Sequence, residues 1–182
     1  AEKNGDTIST AANTKFADIP AHAWYSGYVK YLSNNGITYG KSKTVFAPND
    51  AITRAEFTTM AVRFFDVYGS GDAEIMEQFS GFNDVSSGYW AAEYIKYAAL
   101  HGWINGYGDG SFHADREINR AEVVTIVNRL LGREADEDYI ADNLRKLNTF
   151  PDVTKRHWAY YAVMEAANAH TAVLGESESW SK

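Results

Sequence analysis

The hexapeptide ITRAEF at residues 52–57 returns as INRAEV at residues 118–123, and its arginines, Arg54 and Arg120, are the side chains whose placement most calls for a chemical reason. Thr53-x-x-Glu56 has the form of a capping box: the threonine hydroxyl accepts from an amide of the first helical turn while the glutamate reaches back to the threonine's own amide. Asn119-x-x-Glu122 repeats the device with asparagine as the cap. Ile52 and Ile118, just ahead of the caps, are placed to staple against the first turn. The arginine is left over. It falls at the first helical position, where the positive end of the macrodipole makes an exposed cation unfavourable by roughly 0.3–1 kcal/mol. Two chemistries would justify it. One is an ion pair with an acidic neighbour such as Asp50 or Asp115. The other is anion capture, because helix-start amides and a bidentate guanidinium converge on carboxylates and phosphates. Two such sites in one small body suit a polymer with repeated or terminal acidic groups.

Other residues compete for a role. Trp103 follows Gly102 in a loop and has no aromatic at the matching Ile37, which makes it the candidate to stack on a sugar ring. Gly40 and Gly106 supply turn backbone, or else let a ligand approach the main chain. Trp24, Trp90 and Trp158 open successive helices at i, i+4 spacing with other apolar residues and are read as core. Asp18, Asp84 and Asp152 are expected to cap those helices or their lead-in turns. The run GYGDGSF at residues 106–112 lacks the alternating Asp/Asn positions and the closing Glu of a calcium loop. Five histidines show no HxxxH or HExxH spacing, and cysteine is absent, so neither a metal site nor a disulfide is expected. No nucleophile–base or paired-carboxylate arrangement recurs, since Glu56 and Glu122 already serve as caps. The chain is therefore read as a non-enzyme without a cofactor.

The elements that must position these residues come from an internal repeat. FADIPAHAWYSGYVKYLSNNGITYG starts at Phe16, FNDVSSGYWAAEYIKYAALHGWING at Phe82 and FPDVTKRHWAYYAVMEAANAH at Phe150. The first offset, 66 residues, holds without a gap through Trp24/Trp90, Gly40/Gly106, Phe46/Phe112, Arg54/Arg120 and Arg63/Arg129; the second is 68. Each unit reads as helix, loop, helix. Trp24, Tyr28, Tyr31 and Leu32 give the first helix one buried face, Gly36 and Gly102 end it, and Phe46 and Phe112 pin the loop to the core. Phe57, Met60, Ala61, Phe64 and Tyr68 stripe the second helix, matched by Val123, Ile126, Val127 and Leu130. The expected fold is all-α, with tandem helix-loop-helix units packed into one pseudo-threefold body, because a unit this small cannot close its own core. Residues 1–15 read as a linker, 16–68 as unit 1, 69–81 as a connector, 82–132 as unit 2, 133–149 as a connecting helix and 150–182 as a partial unit 3 whose second half is missing.

The formal charge of −7 argues against nucleic acid, which is usually held by a basic face, and requires local arginines for any anionic partner. No window is long and apolar enough for a membrane span, and no signal-peptide pattern is present. The motif succession F-x-D-V/I, then W with Y-I/V-K, then G-I-x-G, then F-x-P-x-x-x-I-T-R-A-E resembles the S-layer homology domain of bacterial surface proteins, over residues 16 to about 170. The resemblance implies an extracellular module at the cell wall or cell surface. Such modules hold the wall noncovalently through grooves between units, often by recognising pyruvylated secondary wall polysaccharide, and the motif arginine contacts the acidic sugar. That role maps onto Arg54 and Arg120, with Thr53, Asn119, Trp103, Gly40 and Gly106 around them. The partner is then a cell-wall glycan, either an anionic polysaccharide or peptidoglycan. A structural or assembly module making protein–protein contacts in a surface layer is the alternative.

Overall fold

The computed structural model describes residues 8, 12–68, 81–173 and 179–181. Most of the expected linker and the connector at 69–81 lie outside the described residues, as does the Tyr68 side chain. Each of the two full units is a helix, a loop and a longer helix: α1 (Ser26–Asn34) and α2 (Arg54–Tyr68) in unit 1, α3 (Ala92–Leu100) and α4 (Arg120–Leu130) in unit 2. A short helix α5 (Glu137–Asn143) and a 3-10 turn (Leu144–Lys146) then lead to α6 (Tyr160–Ala167), the first helix of unit 3. The fold is all-α, as the periodicity predicts, apart from a short antiparallel ribbon of β1 (Thr171–Val173) and β2 (Ser179–Ser181) where unit 3 departs from the repeat.

Units 1 and 2 share one core. Ala55, Ala61 and Val62 of α2 pack with Ile95, Ala98, Phe112 and Ile126 of unit 2 in a single buried cluster. A smaller cluster of Phe16, Ile19 and Val29 closes the far end of unit 1. A third gathers Ile140, Tyr160, Met164 and Trp180. The β ribbon thus supplies Trp180 to this third cluster. Trp180 stands 68 residues after the loop aromatic Phe112 and is buried like it. Its amide donates to Asp136 (3.0 Å) and its ring stacks 3.9 Å from His170. Behind it the carboxylate of Glu165, wholly buried, pairs with Arg133 (2.8 Å) and His170 (3.2 Å).

Two expectations fail, each for a geometric reason. Trp24, Trp90 and Trp158 are 75%, 56% and 65% exposed rather than core. Each stands two residues ahead of the first helical residue, in a turn, so the helical stripe does not extend to it. The buried face of α1 is instead Ser26, Gly27 and Val29, and Tyr28 is exposed. The aspartates of the lead-in do not cap the helices either, since α1 and α3 have no side-chain cap. Asp18 accepts from the amides of Phe46 (2.9 Å) and Ala47 (2.7 Å), and Asp84 from those of Phe112 and His113 (both 2.7 Å). The amides they hold are those of a turn in which Ala47 and His113 adopt φ of 59° and 55°, the left-handed region that costs a side-chain-bearing residue about 1–2 kcal/mol. The lead-in aspartate therefore clamps the loop to the front of its own unit.

The same loop explains two glycines. A methyl group on Gly106 would stand 2.5 Å from the Phe82 ring and 2.7 Å from the Ser111 carbonyl oxygen, and on Gly40 2.5 Å from Phe16 and 2.6 Å from the Val45 carbonyl oxygen. Phe82 stacks on Phe112 at 5.2 Å and Phe16 meets Phe46 at 5.3 Å, so the glycine, the lead-in phenylalanine and the loop aromatic form one packing unit.

Asp84→Ala is expected to cost about 1–2 kcal/mol in urea denaturation, the loss of a charged acceptor for two amides. Asp152→Ala, at the exposed equivalent that holds no amide among the described residues, should stay within about 0.5 kcal/mol of the parent.

Candidate ligand-binding grooves between the units

Both capping boxes form. Thr53 accepts from the Glu56 amide (3.2 Å) and Glu56 from the Thr53 amide (2.9 Å); Asn119 and Glu122 do the same at 3.0 Å in each direction. The start of α2 is also stitched to unit 2. The amides of Arg54 and Ala55 donate to the carbonyls of Arg116 (2.9 Å) and Ala114 (3.0 Å), and Ile118 donates to Ile52 (3.0 Å). The amides of residues 53–56 are thus all satisfied within the protein, leaving none at this helix start for an anion.

Arg54 follows its backbone into the junction. It is 5% exposed, and its guanidinium donates to the Phe112 carbonyl (2.9 Å), the Asn105 carbonyl (3.2 Å) and the Glu122 carboxylate (2.8 Å) while lying 4.5 Å from the Phe112 ring centroid. The acidic partner is therefore Glu122, the cap of the next unit's helix, and neither Asp50 nor Asp115. Asp115 instead accepts the Tyr89 hydroxyl (2.6 Å). Glu122 also receives the Tyr107 hydroxyl (3.0 Å) and Arg116. Burial raises its pKa, but the Asn119 amide, the Tyr107 hydroxyl and the Arg54 and Arg116 guanidinium groups together outweigh burial and hold it below the ordinary carboxylate range.

Arg120 is placed differently. It is exposed, and among the described residues it has no ion pair or hydrogen-bond partner through its side chain. Arg54 is answered by the capping glutamate of the following unit, whereas Arg120 meets no such carboxylate among the described residues. In unit 1 Glu56 takes Lys41 of its own unit at 2.5 Å.

Two grooves of matching construction lie between the units. The first, about 340 Å³, is lined by Tyr39, Gly40, Lys41, Asp50, Glu56, Arg63 and, from unit 2, Trp90. The second, about 480 Å³, is lined by Asn105, Gly106, Tyr107, Arg116, Glu122, Arg129 and, from unit 3, Trp158. Apart from the tryptophans, these residues correspond at the repeat offset of 66. The second groove brings together Arg54, Trp103, Gly106 and Asn119 of the sequence-derived candidates; Gly40 lines the first, and neither groove is lined by Thr53 or Arg120. Trp103 is only 5% exposed, its ring 4.7 Å from Phe65 and 4.9 Å from His101, so most of it is core. Arg116, Tyr107 and Trp158 were not singled out as groove residues by sequence reasoning. The available signal was the substitution of Asp50 by Arg116 at a repeat-matched position. Among the described residues no cluster of ligating side chains could hold a metal ion, and no helix is long and apolar enough to cross a membrane.

Helix-loop-helix units that bury a motif arginine between them and leave aromatic-edged clefts at each junction define a helical repeat module. Residues 15–58 and 81–124 each match the S-layer homology domain, and through these two units the chain belongs to that family. It is 31% identical to Cell surface glycoprotein 1 of Acetivibrio thermocellus over 181 residues, which is 95% of this chain and 7% of that protein. It is 29% identical to the Cellulosome-anchoring protein of the same organism over 89% of this chain and 34% of that protein. It is also 29% identical to the Surface-layer 125 kDa protein of Lysinibacillus sphaericus over 70% of this chain and 11% of that protein. The chain thus spans a small part of the relatives it matches, and it is an extracellular, cell-surface module.

The two motif arginines should separate cleanly in mutagenesis. Arg54→Ala, which leaves Glu122 buried with part of its charge unanswered, is expected to cost roughly 3–5 kcal/mol. Arg120→Ala should change stability by less than about 0.5 kcal/mol; paired chemical denaturation curves check both. The acid limb tests Glu122. Its pKa is lower folded than unfolded, so its contribution is complete above the ordinary carboxylate range and drains away as pH falls through the lowered value. Thermal midpoints of the parent should fall steeply below about pH 4, and Glu122→Gln should start lower and fall less.

Proposed function

We propose that this module fastens an exported protein to the bacterial wall by noncovalent binding of an anionic wall polysaccharide in the grooves between its units, with pyruvylated secondary wall polysaccharide as the ligand the family resemblance favours. The observation that carries the reading is the way each groove is finished: the next unit contributes a tryptophan with more than half its surface open, Trp90 in one and Trp158 in the other, beside cationic side chains. An indole face offers the apolar side of a sugar ring a flat, rigid surface, and a guanidinium at its edge fixes an acidic substituent by paired hydrogen bonds. The names of the anchoring and surface-layer relatives agree with an attachment role.

Within this reading Arg54 acts as a positioning residue. It sets the Glu122 carboxylate and the Asn105 carbonyl at the groove wall and carries little accessible surface for a ligand. The Thr53 and Asn119 caps support the helix starts on either side, and Arg120 lines neither groove. The net charge of −7 means that affinity comes from short-range, partly desolvated contacts inside a groove rather than from long-range attraction.

Co-sedimentation with purified wall sacculi tests the proposal. The chain should pellet with intact sacculi and remain in solution with sacculi stripped of their accessory polysaccharide. Raising salt to about 0.15 M should weaken the binding only in part, because contacts within a groove are shorter than the screening length of ~8 Å. Equal pelleting with both preparations would move the ligand to peptidoglycan, and no pelleting with either would sink the proposal.

A further inference from the structure

The two grooves share one plan but differ in charge, and the difference centres on a single arginine. In the first groove Arg63 is caged: its guanidinium lies 4.7 Å from the Tyr39 ring centroid and 5.0 Å from that of Tyr94, and its Nε and Nη2 reach the Tyr94 hydroxyl at 3.4 and 3.3 Å. Arg129 is the same residue one unit later. There the counterpart of Tyr39 is Asn105, and the counterpart of Tyr94, carried by unit 3, is Ala162. Both rings of the cage are gone. Arg129 is exposed, and among the described residues its side chain has no hydrogen bond, ion pair or ring partner.

The surrounding substitutions run the same way. Asp50 on the first groove becomes Arg116 on the second, and Lys41, which neutralises Glu56, becomes Tyr107. The first groove therefore sets two cations, Lys41 and Arg63, against two carboxylates, Asp50 and Glu56. The second sets three guanidinium groups, Arg54, Arg116 and Arg129, against the single carboxylate of Glu122. Arg54 spends each of its three nitrogens on an acceptor within the protein. Arg116 spends only Nη2, on Glu122 and the Tyr107 hydroxyl, and Arg129 spends nothing. A cation in the last turn of α4 also suits the helix macrodipole, but that role is served by any cation and does not require an empty guanidinium facing a cleft.

The geometry points to unequal grooves. Resting on the wall-glycan reading above, the acidic group of the ligand, a carboxylate or a phosphate on a sugar, is held in the second groove alone, gripped by Arg129 and Arg116 with the sugar face against Trp158. The first groove takes no acid, because its arginine is already stacked and its charges already cancel. In a chain of net charge −7 this places the anion-binding surface at the junction of units 2 and 3.

Calorimetric titration with polysaccharide released from purified sacculi reads the difference directly. Arg129→Ala should weaken binding at least tenfold and Arg63→Ala by less than twofold, with melting temperatures reported beside each. A second variant, Asn105→Tyr with Ala162→Tyr, rebuilds the cage around Arg129 without altering any charge and should also weaken binding at least tenfold. Carbodiimide amidation of the polysaccharide separates the acids: loss of binding assigns a carboxylate, and persistence that still depends on Arg129 assigns a phosphate. Wild-type binding that Arg129→Ala leaves unimpaired, or that Arg63→Ala weakens equally in folded protein, overturns the inequality alone. A wild-type chain that takes up no polysaccharide overturns the anchoring reading, and this inference with it.

Discussion

A guanidinium group at 5% exposure has to have its charge answered within the protein, and in this chain the answer lies in the next repeat. Arg54 leaves the start of α2, crosses into unit 2 and meets the carboxylate that caps α4. That capping glutamate is thus used twice, once for its own helix and once for its neighbour's arginine. The backbone follows the same route, with Arg54 and Ala55 donating to the loop of unit 2. The junction fixes the spacing between units, and the spacing opens the grooves. An unfavourable charge at a helix start, seen in isolation, becomes favourable once the partner helix is present.

Repetition then produces difference. The motif is written twice, but the following unit answers it only once. Arg54 is internal architecture and Arg120 is surface. Glu56, the matching cap in unit 1, is paired with Lys41 of its own unit. In unit 3 the β ribbon brings Trp180 into the hydrophobic cluster of Ile140, Tyr160 and Met164 and binds its amide to Asp136. The same family plan supports these unequal junctions because each is a local solution to the charges and cavities its neighbours present.

Much of the fold was legible from periodicity. The units, the helix type and the two capping boxes depend on residues within four positions of one another or on repetition at a fixed offset, and both are visible in a linear string. Between units 2 and 3 the helix spans only Glu137–Asn143, with Ile140 buried, Tyr139 and Leu147 packed against it and Leu144 44% exposed. The lead-in aspartates were misread because their amide partners lie 28 or 29 residues away, across the loop. The tryptophans were misread because a helical stripe was carried two residues past the helix start.

The sequence by itself determined the repeat, its helix-loop-helix content, the two capping boxes and the family to which the units belong. These follow from local sterics, capping chemistry and register. Only the tertiary structure decided which arginine is buried, which glutamate answers it and which tryptophans edge a cleft, because those outcomes depend on contacts between residues 58 or 68 positions apart. Arg54 and Arg120 are the same residue in the same motif. What separates them is the presence or absence of a neighbouring carboxylate and two carbonyls, and no property of the motif itself encodes that.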